Sequence, residues 1–275
     1  MHLRRRCNTK AAVGSPFLLS SAPTVAIPPR LLPTPWRRIS TLFSLVSTAL
    51  RSMCLVLQTE FCLLSMTGRD LQRLTGNASS KVGYMSSKEI RELSASRQST
   101  SKFNNESILT IQDALMLTAN SVRQIILDVK VGPPFYEKEL AKDVISVVEK
   151  TECSNCLIWA KSDNLARDVI KLSSEITVGY IVMREPSTGA RTNLLRMKGA
   201  EVVGVYHPLI DGKLMRVLHR RNKKVYAWTV DDVESMQNVL FEHVDAIVTS
   251  NPTSLQRLMQ DIRTQCLEEG YSLPR

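Results

Sequence analysis

Six short apolar runs, most of them separated by a stretch long enough for a helix, constrain this chain more than any other feature. They begin with Ile125-Ile126-Leu127-Asp128-Val129-Lys130 and recur at Leu157–Ala160, Val178–Met183, Val202–Tyr206, Lys224–Val230 and Ala246–Thr249. Segments of helical period lie between them at Glu137–Lys150, Asn164–Leu172, Leu194–Lys198, Leu214–Arg220 and Val233–Phe241, and a last helix is expected from Ser254. Parallel neighbours in a sheet need a crossover connection, and a helix is the usual one. The alternation therefore predicts an α/β fold built on a parallel sheet. No GxGxxG follows any of the runs, so a dinucleotide-binding fold has no support.

Polar residues close several runs: Asp128 and Lys130, Lys161, and Thr229 with Asp231. A β/α barrel carries its chemistry on the C-terminal ends of its strands, so these ends suit a barrel. Six runs fall two short of the eight that a closed barrel needs. Upstream, Ser86-Ser87-Lys88-Glu89 has the spacing of a capping box, and Thr110-Ile111-Gln112-Asp113 opens a second helix.

The formal charge of +10 points to an anionic partner only until its location is read. No acidic residue precedes Glu60, whereas Arg4, Arg5, Arg6, Lys10, Arg30, Arg37, Arg38 and Arg51 are basic. These 8 leave only +2 for the rest of the chain. A nucleic-acid-binding domain needs its charge on a structured face, so no nucleic-acid partner is expected. Residues 1–60 form a basic, Ser- and Pro-rich segment, with prolines at 16, 23, 28, 29, 33 and 35. Such a composition reads as an organellar transit sequence, to plastid or mitochondrion, or as a segment foreign to the fold. Leu42–Met66 is apolar but interrupted by Arg51, Gln58 and Glu60, which gives a membrane anchor weaker support. Prolines make residues 1–40 poor material for central strands. Residues 61–275 form the expected barrel domain.

Cys153 and Cys156 make one CxxC among six cysteines. A structural zinc needs four ligands, and no second pair completes the set. The plain reading is a loop cysteine followed by a buried strand cysteine.

Five stretches together resemble the glycerophosphodiester phosphodiesterase family, the plant branch most. They are Arg69-Asp70-Leu71-Gln72-Arg73-Leu74-Thr75-Gly76, Ser107–Leu115 (SILTIQDAL), Leu127-Asp128-Val129-Lys130, Val225–Asp231 (VYAWTVD) and Asp245–Pro252 (DAIVTSNP). The resemblance implies a TIM-type parallel β/α barrel that hydrolyses glycerophosphodiesters to glycerol 3-phosphate and an alcohol in lipid metabolism, with a Mg²⁺ or Ca²⁺ cofactor. Carried over residue by residue, it implies Asp128 as a metal ligand, Lys130 as a catalytic residue, and Lys161 and Trp228 as substrate contacts.

The family opens with a His-Arg strand and a Glu-x-Asp strand, and neither precedes Arg69 here. Its second histidine, in a His-Asp pair, would stand just before Arg69, where this chain has Thr67-Gly68. The barrel is therefore expected to be incomplete, lacking its first two strands, in a chain that is N-terminally truncated or replaced. Two functional readings follow. One is a phosphodiesterase homologue whose activity is lost or impaired; the other is a barrel remnant that binds glycerol phosphate or a protein without catalysis.

Each candidate also has a plain structural reading. Asp-x-Lys at a strand end makes a local salt bridge, and one carboxylate is a poor site for a hard cation. A strand tryptophan is commonly core with its N–H satisfied. A loop lysine is commonly solvated.

Overall fold

All six expected strands form. The computed structural model describes residues 17–20, 55–56, 62–63, 72, 75–80, 84–86, 88–89, 92–93, 110–119, 124–131 and 139–269. The chain divides into two compact units, Val25–Val178 and Met1–Thr24 with Gly179–Arg275.

In the first unit, Leu55–Val56 (β2) and Cys62–Leu63 (β3) pair antiparallel. The rest of Leu42–Met66 lies outside the described residues. Among the described residues no helix is long and apolar enough to cross a membrane. The Ser86 capping box forms: the Glu89 carboxylate accepts from the Ser86 backbone N–H at 2.6 Å and the Ser86 hydroxyl accepts from the Glu89 N–H at 3.2 Å. Thr110 and Asp113 make the same reciprocal pair at the start of Ile111–Thr118 (α1).

Ile125–Val129 (β4) runs parallel to Cys156–Ala160 (β5), joined by Leu140–Lys150 (α2), and Asp163–Leu172 (α3) follows. β5 is buried at every position, as expected for a parallel strand covered on both faces. β4 instead alternates, with Ile126 and Asp128 on the less buried face. Alternation marks a strand with one face only partly covered, and that face carries Asp128.

In the second unit, Thr177–Val182 (β6), Val202–Tyr206 (β7), Lys224–Trp228 (β8) and Ala246–Thr249 (β9) pair in parallel in sequence order. Gly212–His219 (α4), Val233–Phe241 (α5) and Pro252–Glu268 (α6) supply the helices. Tyr180 and Tyr226 are among its largest fully buried side chains.

The segment Leu194–Lys198 does not form the expected helix but runs as turns and bends. Tyr180 donates its hydroxyl proton to the Leu194 carbonyl, and Arg196 Nη2 donates to the Ile181 carbonyl at 2.6 Å. The Arg196 guanidinium also lies 4.9 Å from the centre of the Tyr180 ring. These ties to β6 hold the segment open, and Gly199 at φ 83° is outside helical space.

A four-residue strand, Phe17–Ser20 (β1), pairs parallel with β9 in the register Phe17 to Ala246 through Ser20 to Thr249. In a closed β/α barrel, the neighbour of the last strand is the first. The proline-rich segment thus contributes an end strand. Most of residues 1–60, including the transit-like composition, lies outside the described residues.

Three helices share one ending. Glu152, Asn222 and His243 sit at φ 50°, 53° and 61° just past α2, α4 and α5. In each case the next N–H reaches back five residues: Cys153 to Val148 at 3.1 Å, Lys223 to Leu218 at 3.1 Å and Val244 to Val239 at 3.4 Å. This is the Schellman arrangement, which satisfies carbonyls that the helix end leaves over.

Candidate functional site

Strand register assembles the first cluster. Asp128 stands directly opposite Trp159 across β4 and β5, which puts both side chains on one face. Trp159 Nε1 donates to Asp128 Oδ1 at 3.1 Å. Two residues along the strand on the same face, the Lys130 ammonium donates to Asp128 Oδ2 in a short ion pair. Both members of that pair keep about a third of their side-chain exposure, at 35% and 32%. Lys161 follows β5 directly and is exposed, with no ion pair to it among the described residues. The expected Asp128 and Lys130 pair is thus together on one face; Lys161 is near in sequence to Trp159 but makes no described contact with it.

This carboxylate is hydrogen-bonded on both oxygens. Each oxygen accepts one hydrogen bond from a side chain, and among the described residues no group of three His, Cys, Asp or Glu side chains comes close enough to hold a metal ion. Mg²⁺ and Ca²⁺ require several oxygen ligands. Asp128 is one such ligand, and the described residues alone do not complete a site for a divalent cation.

The second cluster lies at the C-terminal ends of β7 and β8. Tyr206 and Trp228 are register partners, their ring centroids 5.6 Å apart at an interplanar angle of 44°. His207 follows at the head of a short 3₁₀ turn, His207–Leu209, and meets Tyr206 edge-on with centroids 5.5 Å apart. Burial pushes the His207 imidazole below its ordinary value, against a smaller upward pull from the Asp232 and Asp231 carboxylates. The exposed Asp232 caps α5, accepting from Ser235 N–H at 2.8 Å, and that bond holds its carboxyl below the usual range. Asp231 accepts from Ser250 N–H at 2.6 Å, and its carbonyl accepts from Asn251 Nδ2 at 2.9 Å, tying the β8 and β9 ends together.

Trp228 departs from the plain core reading. It is only half-buried, yet its indole N–H is buried and has no hydrogen-bond partner among the described residues. An unmet buried donor costs about 1–3 kcal/mol. Positions that break a local rule in this way cluster at functional sites.

His219 Nε2 lies 3.0 Å from Asp245 Oδ2, which also accepts from Val225 N–H at 2.7 Å, at the N-terminal end of β8. Cys153 and Cys156 are both buried and joined to each other as a disulfide. The reading of two separate cysteines missed this bond, for which the CxxC spacing was the available signal. Trp159 and Tyr206 were also missed as site residues. Trp159 lies 31 residues from Asp128, an offset that only strand register supplies.

Comparison with known proteins follows the same residues. The family model described as the glycerophosphoryl diester phosphodiesterase family matches residues 62–254. The chain is 56% identical over 211 residues to the glycerophosphodiester phosphodiesterase GDPD4 of Arabidopsis thaliana, covering 77% of this chain and 64% of that relative's length. Among solved structures, a glycerophosphodiester phosphodiesterase from Parabacteroides distasonis superposes with a TM-score of 0.55 at 14% identity, covering 76% of this chain and 95% of that one. One from Thermotoga maritima gives a TM-score of 0.53 at 18% identity, covering 72% and 79%. These structures show the fold, an incomplete parallel β/α barrel of the TIM type. By its family match and its plant relative, the chain belongs to the glycerophosphoryl diester phosphodiesterase family.

Proposed function

We propose that this chain recognises glycerophosphodiesters, the substrates of a reaction that yields glycerol 3-phosphate and an alcohol, and that it turns them over poorly or not at all. The observation that carries the second half is the sequence before Arg69, which contains neither a His-Arg nor a His-Asp pair.

A phosphodiester carries a negative charge that repels nucleophiles. Its cleavage needs that charge offset and a proton delivered to the leaving alkoxide. In this reading the Lys130 ammonium, held by Asp128, presents its remaining N–H groups to a phosphate oxygen. The exposed Lys161 adds a second cation at the end of β5. No His-Arg or His-Asp pair precedes Arg69, so the chain has no counterpart of the family's acid-base histidines. Loss of one acid-base group typically lowers a rate by ~10²–10⁴, and loss of both leaves little.

The test is hydrolysis of glycerophosphocholine by the full chain with Mg²⁺ or Ca²⁺, beside calorimetric binding of glycerol 3-phosphate. We expect binding with background turnover. Robust hydrolysis that disappears in Asp128→Ala contradicts the reading. The same absence of histidine pairs favours the second reading, a module that binds glycerol phosphate or a protein without catalysis; glycerol 3-phosphate binding without turnover separates the ligand-binding form from the protein-binding one.

A further inference from the structure

The outer face of α4 carries a charge that the balance of the whole chain hides. From Gly212 to Val230 there is no Asp or Glu, while Lys213, Arg216, Arg220, Arg221, Lys223 and Lys224 are basic. α4 buries Leu214, Met215 and Leu218. At 3.6 residues per turn, Lys213, Arg216, Val217 and Arg220 then share the opposite face, and all four are exposed. Arg220 keeps helical angles, φ −62° and ψ −17°, and so extends the stripe by one position past the helix. Arg221 and Lys224, also exposed, follow at its C-terminal end around the left-handed Asn222.

The acids nearby do not neutralise this stripe. Asp211 caps α4, accepting from Leu214 N–H at 2.7 Å, and Asp245 is taken by Val225 N–H and His219. Glu242 Oε2 comes within 3.2 Å of where a Cβ on Gly212 would stand, close to Arg216 but in no ion pair with it. Glu201 acts electrostatically on Lys223, whose ammonium turns inward to the Met197 and Ala200 carbonyls. Lys213, Arg216, Arg220, Arg221 and Lys224 are thus without an ion pair among the described residues. Like charges three and four apart on a helix repel. A merely solvated face gains by interleaving acids, and this one has none.

The occupant must supply many negative charges and tolerate an apolar side chain among them, because Val217 stands in the stripe at 36% exposure. The surface of an acidic bilayer does both: its headgroups meet the cations and its acyl boundary takes the valine. A nucleic acid fits less well. From His207 to Val225 there is no Phe, Tyr or Trp on which a base could stack.

We propose that Lys213, Arg216, Val217 and Arg220, extended by Arg221 and Lys224, dock this chain on membranes that bear acidic phospholipids. The contact is peripheral, with α4 lying along the headgroups. Lys224 opens β8 and Trp228 closes it, so the docking surface and the strand-end rim lie at opposite ends of one strand. The inference is independent of turnover and of the substrate class proposed above.

The full chain is sedimented with vesicles of phosphatidylcholine alone and with about 30% phosphatidylserine, at about 0.1 M salt. Acidic vesicles should bind it more tightly than neutral ones. Each cation near an acidic surface contributes about fivefold, so Lys213→Gln with Arg216→Gln and Arg220→Gln should weaken binding at least about tenfold. Circular dichroism and the melting temperature report whether this variant folds. If it does not, Arg221→Gln with Lys224→Gln, outside the helix, should weaken binding by about fivefold or more. Attraction by the N-terminal segment is controlled by replacing Arg4, Arg5 and Arg6 together with Gln; the loss caused by the stripe variants should be the same in that background. Equal binding to both vesicle types, no binding to acidic vesicles, or unchanged binding in the folded stripe variants overturns the proposal. Tighter binding of polyglutamate, or of a DNA duplex of about 20 base pairs, at the same salt also overturns it, because the partner would then be a protein or a nucleic acid.

Discussion

Asp128 and Trp159 are register partners on β4 and β5, and the indole N–H of one reaches the carboxylate of the other at 3.1 Å. With Lys130 on the second oxygen, the residue that the family resemblance assigns to a metal is also a hydrogen-bonded hub.

The coupling within that hub is measurable. Trp159 is buried, so Trp159→Phe keeps most of the packing and removes the donor. A charge-assisted hydrogen bond contributes roughly 1.5–3 kcal/mol. Because Asp128 is about a third exposed, screening lowers this, and we expect a coupling energy near 1 kcal/mol in a double-mutant cycle with Asp128→Ala. Additive urea denaturation midpoints for the two substitutions would contradict the hub.

Stability should depend on His207 in a defined direction. Its folded-state value lies below the ordinary 6.5, so between those two values the unfolded chain binds more protons than the native one. Stability then rises with pH across that window. The contribution is complete above about pH 6.5 and is lost as the pH falls through the folded-state value. Urea midpoints at pH 7.5 and 5.5 should differ less for His207→Gln than for the unsubstituted chain. An unchanged difference would sink the assignment.

Glu152 is a poor occupant of its position. It holds φ 50° at the end of α2, where a side chain is strained and a negative charge opposes the helix dipole. Glu152→Gly should raise thermal stability by about 0.5–1 kcal/mol, the strain relieved less the added freedom of glycine in the unfolded chain. A lower melting temperature would show that the left-handed conformation is not maintained.

β1 covers one edge of β9 through the pairs Phe17–Ala246 to Ser20–Thr249. Deleting residues 1–24 should therefore speed amide exchange in Ala246–Thr249 and promote aggregation through the bared edge. Unchanged exchange in β9 would show that the N-terminal strand is dispensable.

The architecture from Ile125 onward was legible in the sequence because burial on both faces leaves continuous apolar runs, and crossovers leave helical periods between them. All six runs became strands, and the helix at Val233–Phe241 has its expected bounds. Leu194–Lys198 misled because its period is helical while its partners, Tyr180 and Ile181, lie on another element. The site was half legible. Asp128 and Lys130 are neighbours on one strand, so period-two alternation was enough to join them. Trp159 and the Tyr206–Trp228 pair are joined by register, which depends on how strands slide against one another. β1 was hidden for another reason: four residues among prolines carry too little pattern to be told from the segment around them.

The most direct test is turnover by the full, unsubstituted chain on glycerophosphocholine with Mg²⁺ or Ca²⁺, followed by the release of glycerol 3-phosphate. We expect a rate at background, unchanged by Asp128→Ala. Turnover clearly above background that requires Asp128 would contradict the claim that the chain lacks the acid-base groups this cleavage needs.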